Sequence, residues 1–160
     1  MIFRSIKPEE TEQAIRIELI CFPPHEACSP QSMRDRITVA KDLFLVAVDE
    51  NTDLIAGFLN GIATNEVAFR DEFFTDSRLH DPAGQTVMLL GLDVLPEYRK
   101  KGLAKELLRR YADRERRRER LVLTCLEEKV PMYKHLGFLD NGMANSTWGG
   151  EAWHEMEFRL

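Results

Sequence analysis

Arg99-Lys100-Lys101-Gly102-Leu103-Ala104 combine three positive charges with a glycine. They stand where the apolar run Val87–Leu95 gives way to helical periodicity, and Lys105 adds a fourth cation one residue on. A strand that passes through a basic, glycine-bearing turn into a helix suits a diphosphate. The first N–H groups of a helix have no partner in their own ladder, and the helix dipole favours an anion beside them. Gly102 lacks the Cβ that would hold phosphate oxygens off the backbone. The chain contains neither G-x-x-x-x-G-K-[ST] nor G-x-G-x-x-G, which excludes a triphosphate loop and a dinucleotide fingerprint. The same six residues also suit a basic turn that opens an ordinary surface helix.

Two further groups have side chains that do chemistry. Tyr133 follows Pro131 at a helix start, where the dipole helps its hydroxyl donate a proton; a half-buried tyrosine with an ordinary hydrogen bond is the alternative. Trp148, Glu151 and Trp153 offer two indoles and a carboxylate, enough to hold an ammonium through cation–π and charge contacts. They also suit an aromatic pair packed in a sheet. Cys21, Cys28 and Cys125 are odd in number and lack metal-ligand spacing, which argues against a disulfide framework and for a reducing cytoplasm.

At 160 residues, with 44% hydrophobic and 31% charged residues, the chain is read as a single domain over 1–160 with no membrane span. A net charge of −5 gives no support to nucleic acid as partner and suits a cationic small substrate. The run Arg109–Arg120 interleaves acids and reads as a solvated helix face. A monomer and a homodimer fit the composition equally.

The elements that position these residues follow from periodicity. Strands are expected at Ile2–Ile6, Leu43–Val48, Leu54–Ile62, Val87–Leu95, Leu121–Cys125, about Leu139–Asn145 and Ala152–Leu160. Helices are expected at Thr11–Ile20, at Gln31–Ala40 capped by Ser29, from Gly102 to about Arg118, and after Val130. Asp49–Asp53 reads as a hairpin turn, Phe22–Pro30 as a substrate-side loop, and Asn65–Gly84 as the least regular stretch. Leu103, Leu107, Leu108 and Tyr111 form the apolar face of the helix after the basic turn.

The long strand, Pro96-Glu97-Tyr98, the basic turn, the Leu121–Cys125 strand, and Pro131-Met132-Tyr133 with Gly137-Phe138 together resemble the GNAT superfamily of N-acetyltransferases. Thr124-Cys125, Pro131-Met132-Tyr133 and Glu155-Met156 look most like its serotonin (arylalkylamine) branch. The resemblance implies an α+β fold: a mixed, mostly antiparallel seven-stranded sheet, about four flanking helices, and central strands that splay apart. It implies acetyl-CoA as cosubstrate and no metal. Backbone N–H groups of Leu92, Asp93 and Val94 would meet the pantetheine and the thioester. Arg99, Lys100, Lys101, Gly102, Leu103, Ala104 and Lys105 would hold the diphosphate. Tyr133 would be the general acid, and Phe22, Thr124, Trp148, Glu151 and Trp153 would form the acceptor pocket.

Acetyl transfer to an amine also needs a proton acceptor. Holding an alkyl ammonium of pKa ~10 neutral near pH 7 costs about 4 kcal/mol. The serotonin enzymes use two histidines on the central strand, and the matching positions here are Met88 and Leu90, which take no proton. Either another group serves, with Glu66, Asp93, His25 and Glu151 as the candidates, or free amine is drawn from solution. The expected activity is transfer of acetyl to a small aryl- or alkylamine. A protein acetyltransferase and a CoA-binding module without turnover are the alternatives.

Overall fold

The computed structural model spans residues 1–160 and contains one seven-stranded sheet. Its strands are β1 (Ile2–Ser5), β2 (Phe44–Asp49), β3 (Leu54–Thr64), β4 (Thr86–Val94), β5 (Arg120–Cys125), β6 (Leu139–Met143) and β7 (His154–Arg159). They lie in the order β1-β2-β3-β4-β5-β7-β6, with every neighbouring pair antiparallel except β4 and β5. Five helices accompany the sheet: α1 (Thr11–Cys21), α2 (Pro30–Ala40), the single turn α3 (Glu72–Thr75), α4 (Leu103–Arg114) and α5 (Val130–His135).

Strand alternation divides the core. Phe44, Val46 and Val48 of β2 pack with Ala14, Ile15 and Ile17 of α1 and Met33 and Ile37 of α2. Their neighbours Leu45 and Ala47 turn to the other face, where Leu103, Leu107, Leu108 and Tyr111 of α4 close the larger cluster. The Tyr111 hydroxyl donates to the Leu43 carbonyl at 2.9 Å, which ties α4 to the edge of β2. Ser29 caps α2 as expected, its hydroxyl accepting from the Ser32 N–H at 3.0 Å.

Two expectations need correction, and the stretch expected to be least regular holds one short helix. Helix α4 ends at Arg114 rather than Arg118, because Glu115–Arg118 closes as a turn with the Arg118 N–H donating to the Glu115 carbonyl. Arg120 leaves the solvated face altogether: it is buried on β5, donates to Thr86 Oγ1 at 3.0 Å, and pairs with Glu157 at 2.6 Å. The irregular stretch holds α3, whose Phe73 is fully buried and stacks edge-on with Phe69. No helix is long and apolar enough to cross a membrane.

Two departures from regular pairing shape the centre of the sheet. Asn60 opposes Gly91 while Gly61 opposes Leu89, so Leu90 is an extra residue that bulges β4 and bends it. Strand β5 pairs with β4 only over Thr86–Met88, against Arg120–Val122. Beyond Met88 and Val122 the two strands part and leave the upper edge of β4 without a neighbour.

Candidate active site

The parted strands open into a cleft of about 460 Å³. Leu89 to Leu92 and Val94 form one wall; Leu123, Thr124, Cys125 and Tyr133 form the other. Arg99, Ala104 and Leu108 also line it, as do Phe22, Pro23, Phe74, Trp148 and Trp153.

Which N–H groups face the cleft follows from a single bond. The Leu95 N–H donates to the Ala56 carbonyl on β3 at 3.0 Å. Antiparallel ladders alternate, so the Asp93 N–H also points to β3, and those of Leu92 and Val94 point to the open edge. The Val94 carbonyl confirms this direction, since it accepts from Arg99 Nε at 2.9 Å and from Cys21 Sγ at 3.4 Å, both outside the β3 ladder. Asp93 is therefore set apart from its two neighbours: its side chain is fully buried and its N–H is turned away from the cleft.

The turn before α4 is held from both sides. Pro96–Tyr98 forms a 3-10 turn, and the Tyr98 hydroxyl donates to Asp49. Lys100 then adopts φ +61°, a strained conformation for a lysine, and Gly102 adopts φ +81° as the residue that caps α4. No side chain caps this helix, and its first internal bond runs from the Glu106 N–H to the Gly102 carbonyl. The N–H groups of Leu103, Ala104 and Lys105 thus precede the ladder. A Cβ on Gly102 would meet nothing within 4 Å, so the backbone stands open to an incoming group. Lys100, Lys101 and Gly102 are exposed, the Lys105 side chain lies on a separate surface hollow, and the Leu103 side chain is buried in the core. These observations fit a diphosphate held by main chain and cations.

The aromatic walls are tied down. Trp148 Nε1 donates to the Glu26 carbonyl at 2.8 Å, Trp153 Nε1 donates to the Trp148 carbonyl at 2.9 Å, and Phe74 stacks on Trp148 with centroids 4.6 Å apart. With both indole N–H groups satisfied, the rings offer the cleft their faces rather than their donors. Glu151 does not line the cleft; it lies 3.3 Å from His25 Nε2 on the surface above it.

Burial pushes the hydroxyl of Tyr133 up, and the charges of Cys125 and Asp93 add to that, so it stays protonated far above neutral pH. Its ring packs edge-on against Phe138 at 5.5 Å. Burial also raises Cys125 to about 11 and Cys28 to about 12, and it raises Cys21 as well, so no thiol is poised as a nucleophile.

The proton-acceptor candidates fare unequally. Glu66 is held by Arg70 at 2.7 and 2.8 Å outside the cleft, and those bonds lower its pKa. His25 and Glu151 are engaged with each other on the surface. Of the two positions that match the histidine pair, Leu90 lines the cleft and Met88 is sealed in the core. Glu18, which sequence reasoning passed over, is buried and lines the cleft beside Gly91. Its only signal in the sequence is an acid on the apolar side of α1, three and four residues after Ile15 and Ala14.

No sequence among curated proteins matches the chain at a significant level. Among solved structures it is similar to GphF, a GNAT-like decarboxylase in complex with isobutyryl-CoA, at 19% identity over 99% of each chain with a TM-score of 0.81. It is similar to the loading GNATL domain of CurA from Lyngbya majuscula at 15% identity, covering 99% of this chain and 96% of that one, with a TM-score of 0.86. It is also similar to yncA, a putative acetyltransferase from Salmonella typhimurium with its cofactor acetyl-CoA, at 18% identity over 100% and 94% of the two chains and a TM-score of 0.68. The model of the acetyltransferase (GNAT) family matches residues 11–138, from the start of α1 through α5 to Phe138. The chain belongs to the acetyltransferase (GNAT) family, and it is an acyltransferase.

Proposed function

We propose that the chain transfers acetyl from acetyl-CoA to the primary amine of a small molecule by direct attack in a ternary complex. The observation that carries this reading is one continuous cleft, running from the open edge of β4 to an aromatic pocket whose walls are bonded in place. Arg99, Lys100, Lys101 and the N–H groups from Gly102 to Lys105 hold the diphosphate. The Leu92 and Val94 N–H groups face the pantetheine arm and the thioester carbonyl, where they stabilise the negative charge that develops on oxygen. Tyr133 gives its proton to the departing sulfur. The raised thiols support direct transfer, since none supplies a thiolate for a covalent intermediate.

The acceptor is a small amine with an aromatic or aliphatic tail. Phe22, Pro23, Phe74, Trp148 and Trp153 offer it apolar surface, with Thr124 on the opposite wall. A peptide acceptor needs a channel open at both ends. Here the bond from Trp148 to Glu26 and the His25–Glu151 contact draw the Phe22–Ser29 loop onto the Trp148–Gly150 turn. The serotonin-enzyme likeness extends to Tyr133 and the aromatic pocket but not to a histidine relay. The unpaired cysteines suit a reducing cytoplasm.

A panel of aryl- and alkylamines with acetyl-CoA, followed by release of free thiol, tests the proposal. Turnover is expected with hydrophobic primary amines. Turnover of peptide N-termini or lysines alone would replace this reading with a protein acetyltransferase, and binding of acetyl-CoA with no turnover would replace it with a binding module.

A further inference from the structure

Four polar side chains from four different elements meet beneath the bulge in β4. Glu18 of α1, Arg36 of α2, Asn60 of β3 and Asp93 of β4 are each at most 4% exposed. Arg36 donates to Asn60 Oδ1 at 3.4 Å and to the Phe74 carbonyl at 2.9 Å, and its Nε has no partner. Asn60 Nδ2 donates to the Gly91 carbonyl at 3.4 Å, and Glu18 Oε2 accepts from the Cys28 N–H at 3.0 Å. Glu18 Oε1 and both Asp93 oxygens have no donor at all.

Gly91 is where the two carboxyl groups converge. A Cβ there would sit 3.0 Å from Asp93 Oδ1 and 3.6 Å from Glu18 Oε1. Only a residue without a side chain leaves room for both. Two carboxylates so close, with one guanidinium nearby, do not both stay ionised. Burial raises Asp93 well above the usual carboxylate range, and the charge of the neighbouring Glu18 raises it further. Asp93 therefore keeps a proton, and its unpartnered oxygens leave that proton free to turn toward the equally unpartnered Glu18 Oε1. Cys21, Cys28, Arg36, Arg99 and Tyr133 are the other titratable or charged groups facing the pair. The cysteines are neutral at pH 7 and Tyr133 stays protonated, which leaves Arg36 as the charge beside the pair, with Arg99 beyond it against Cys21.

We propose that Glu18 accepts the proton of the acceptor ammonium, and that Asp93 is the positioning residue that holds Glu18 in place. The inference rests on the amine-acetyltransferase reading. Glu18 is the buried carboxylate that reaches the cleft where β4 exposes Gly91 and Leu92. The ammonium gives one proton to Glu18 and becomes a neutral amine. Its nitrogen pair forms the C–N bond, the C–S bond breaks with its electrons on sulfur, and Tyr133 protonates that sulfur. The second nitrogen proton restores Tyr133, and Glu18 releases its proton to solvent, so one proton leaves per turnover.

The test is Glu18→Gln, with Glu12→Gln on the exposed face of the same helix, outside the cleft, as the contrast. Glu18→Gln is expected to lower kcat/KM for an alkylamine by about 100-fold or more at pH 7. The loss shrinks as pH rises toward the amine pKa of ~10, where solution supplies neutral amine. A weakly basic amine already neutral at pH 7 loses little. Glu12→Gln stays within a few-fold of the parent, and an unchanged acetyl-CoA Kd shows that both variants are folded. Asp93→Asn, which still donates a hydrogen bond, retains most activity, whereas Asp93→Val follows Glu18→Gln. An unchanged rate and pH profile in Glu18→Gln would overturn the assignment. The pair is also read without turnover: an infrared carboxylic-acid C=O band is expected at neutral pH and lost in Asp93→Asn. Its absence from the parent would overturn the pair even if amines are acetylated. A parent that acetylates no amine but shows the band would instead overturn the acetyltransferase reading, and with it the proton-acceptor role.

Discussion

Met88 and Val122 are the last residues at which β4 and β5 remain in register. Six more residues of β4 continue past that point with only β3 beside them. An open strand edge is usually a liability. Here it lies between two walls of a cleft, where an extended ligand takes the place of the missing strand.

Replacing Gly102 by valine tests the anion site. Valine at φ +81° is strained by about 1–2 kcal/mol, and its branches project over the open N–H groups of α4. The acetyl-CoA Kd measured by calorimetry is expected to rise at least about tenfold, with the melting temperature lowered by only a few degrees.

Tyr133→Phe separates catalysis from binding. It removes one hydroxyl and keeps the ring against Phe138. We expect kcat to fall by about 100- to 10,000-fold with no change in acetyl-CoA affinity. Because burial raises this hydroxyl, the parent enzyme shows no loss of rate from tyrosinate formation between pH 7 and the ordinary tyrosine range near ~10.

Trp148→Ala removes the stack on Phe74 and the bond to Glu26. A buried aromatic anchor of this kind contributes about 2 kcal/mol. The KM for a hydrophobic amine should rise about 30-fold in steady-state assays while the KM for acetyl-CoA holds.

Arg120 and Glu157 carry a stability prediction. Arg120→Met leaves Glu157 buried with Arg159 as its remaining partner, at a cost of about 2–3 kcal/mol in chemical denaturation. Burial penalises the Glu157 carboxylate, but the hydrogen bonds and charges of Arg120 and Arg159 outweigh it, so its pKa is lowered. The stabilisation is therefore complete above the ordinary glutamate value of 4.5 and is lost as pH falls through the lower folded value. The difference between parent and variant should narrow in melts taken below that value.

Much of the fold was legible because its signals are local. The apolar face of α4, the Ser29 cap and the Asp49–Asp53 turn each depend on residues a few positions apart. The geometry around the proposed site was legible where it follows main chain: the basic turn does lead into the N-terminus of α4, and Leu92 and Val94 do lie on the strand whose edge is open. Asp93 misled because alternation along a strand is visible in sequence, but which parity faces the open edge is set by the bond from Leu95 to Ala56. Glu18 and Asn60 are single polar residues among apolar neighbours, and Arg36 sits in the charged run Arg34-Asp35-Arg36. Only the tertiary fold brings them to Asp93, and no local pattern encodes that meeting. Arg120 was hidden the same way, since its partners Thr86 and Glu157 come from strands on either side.

Calorimetric titration of acetyl-CoA into the parent protein and into Gly102→Val bears most directly on the splayed-strand site. The account predicts one molecule bound per chain by the parent, with affinity reduced at least about tenfold by a variant that remains folded. Absence of binding heat with the parent, or equal affinity for the two proteins, would contradict it.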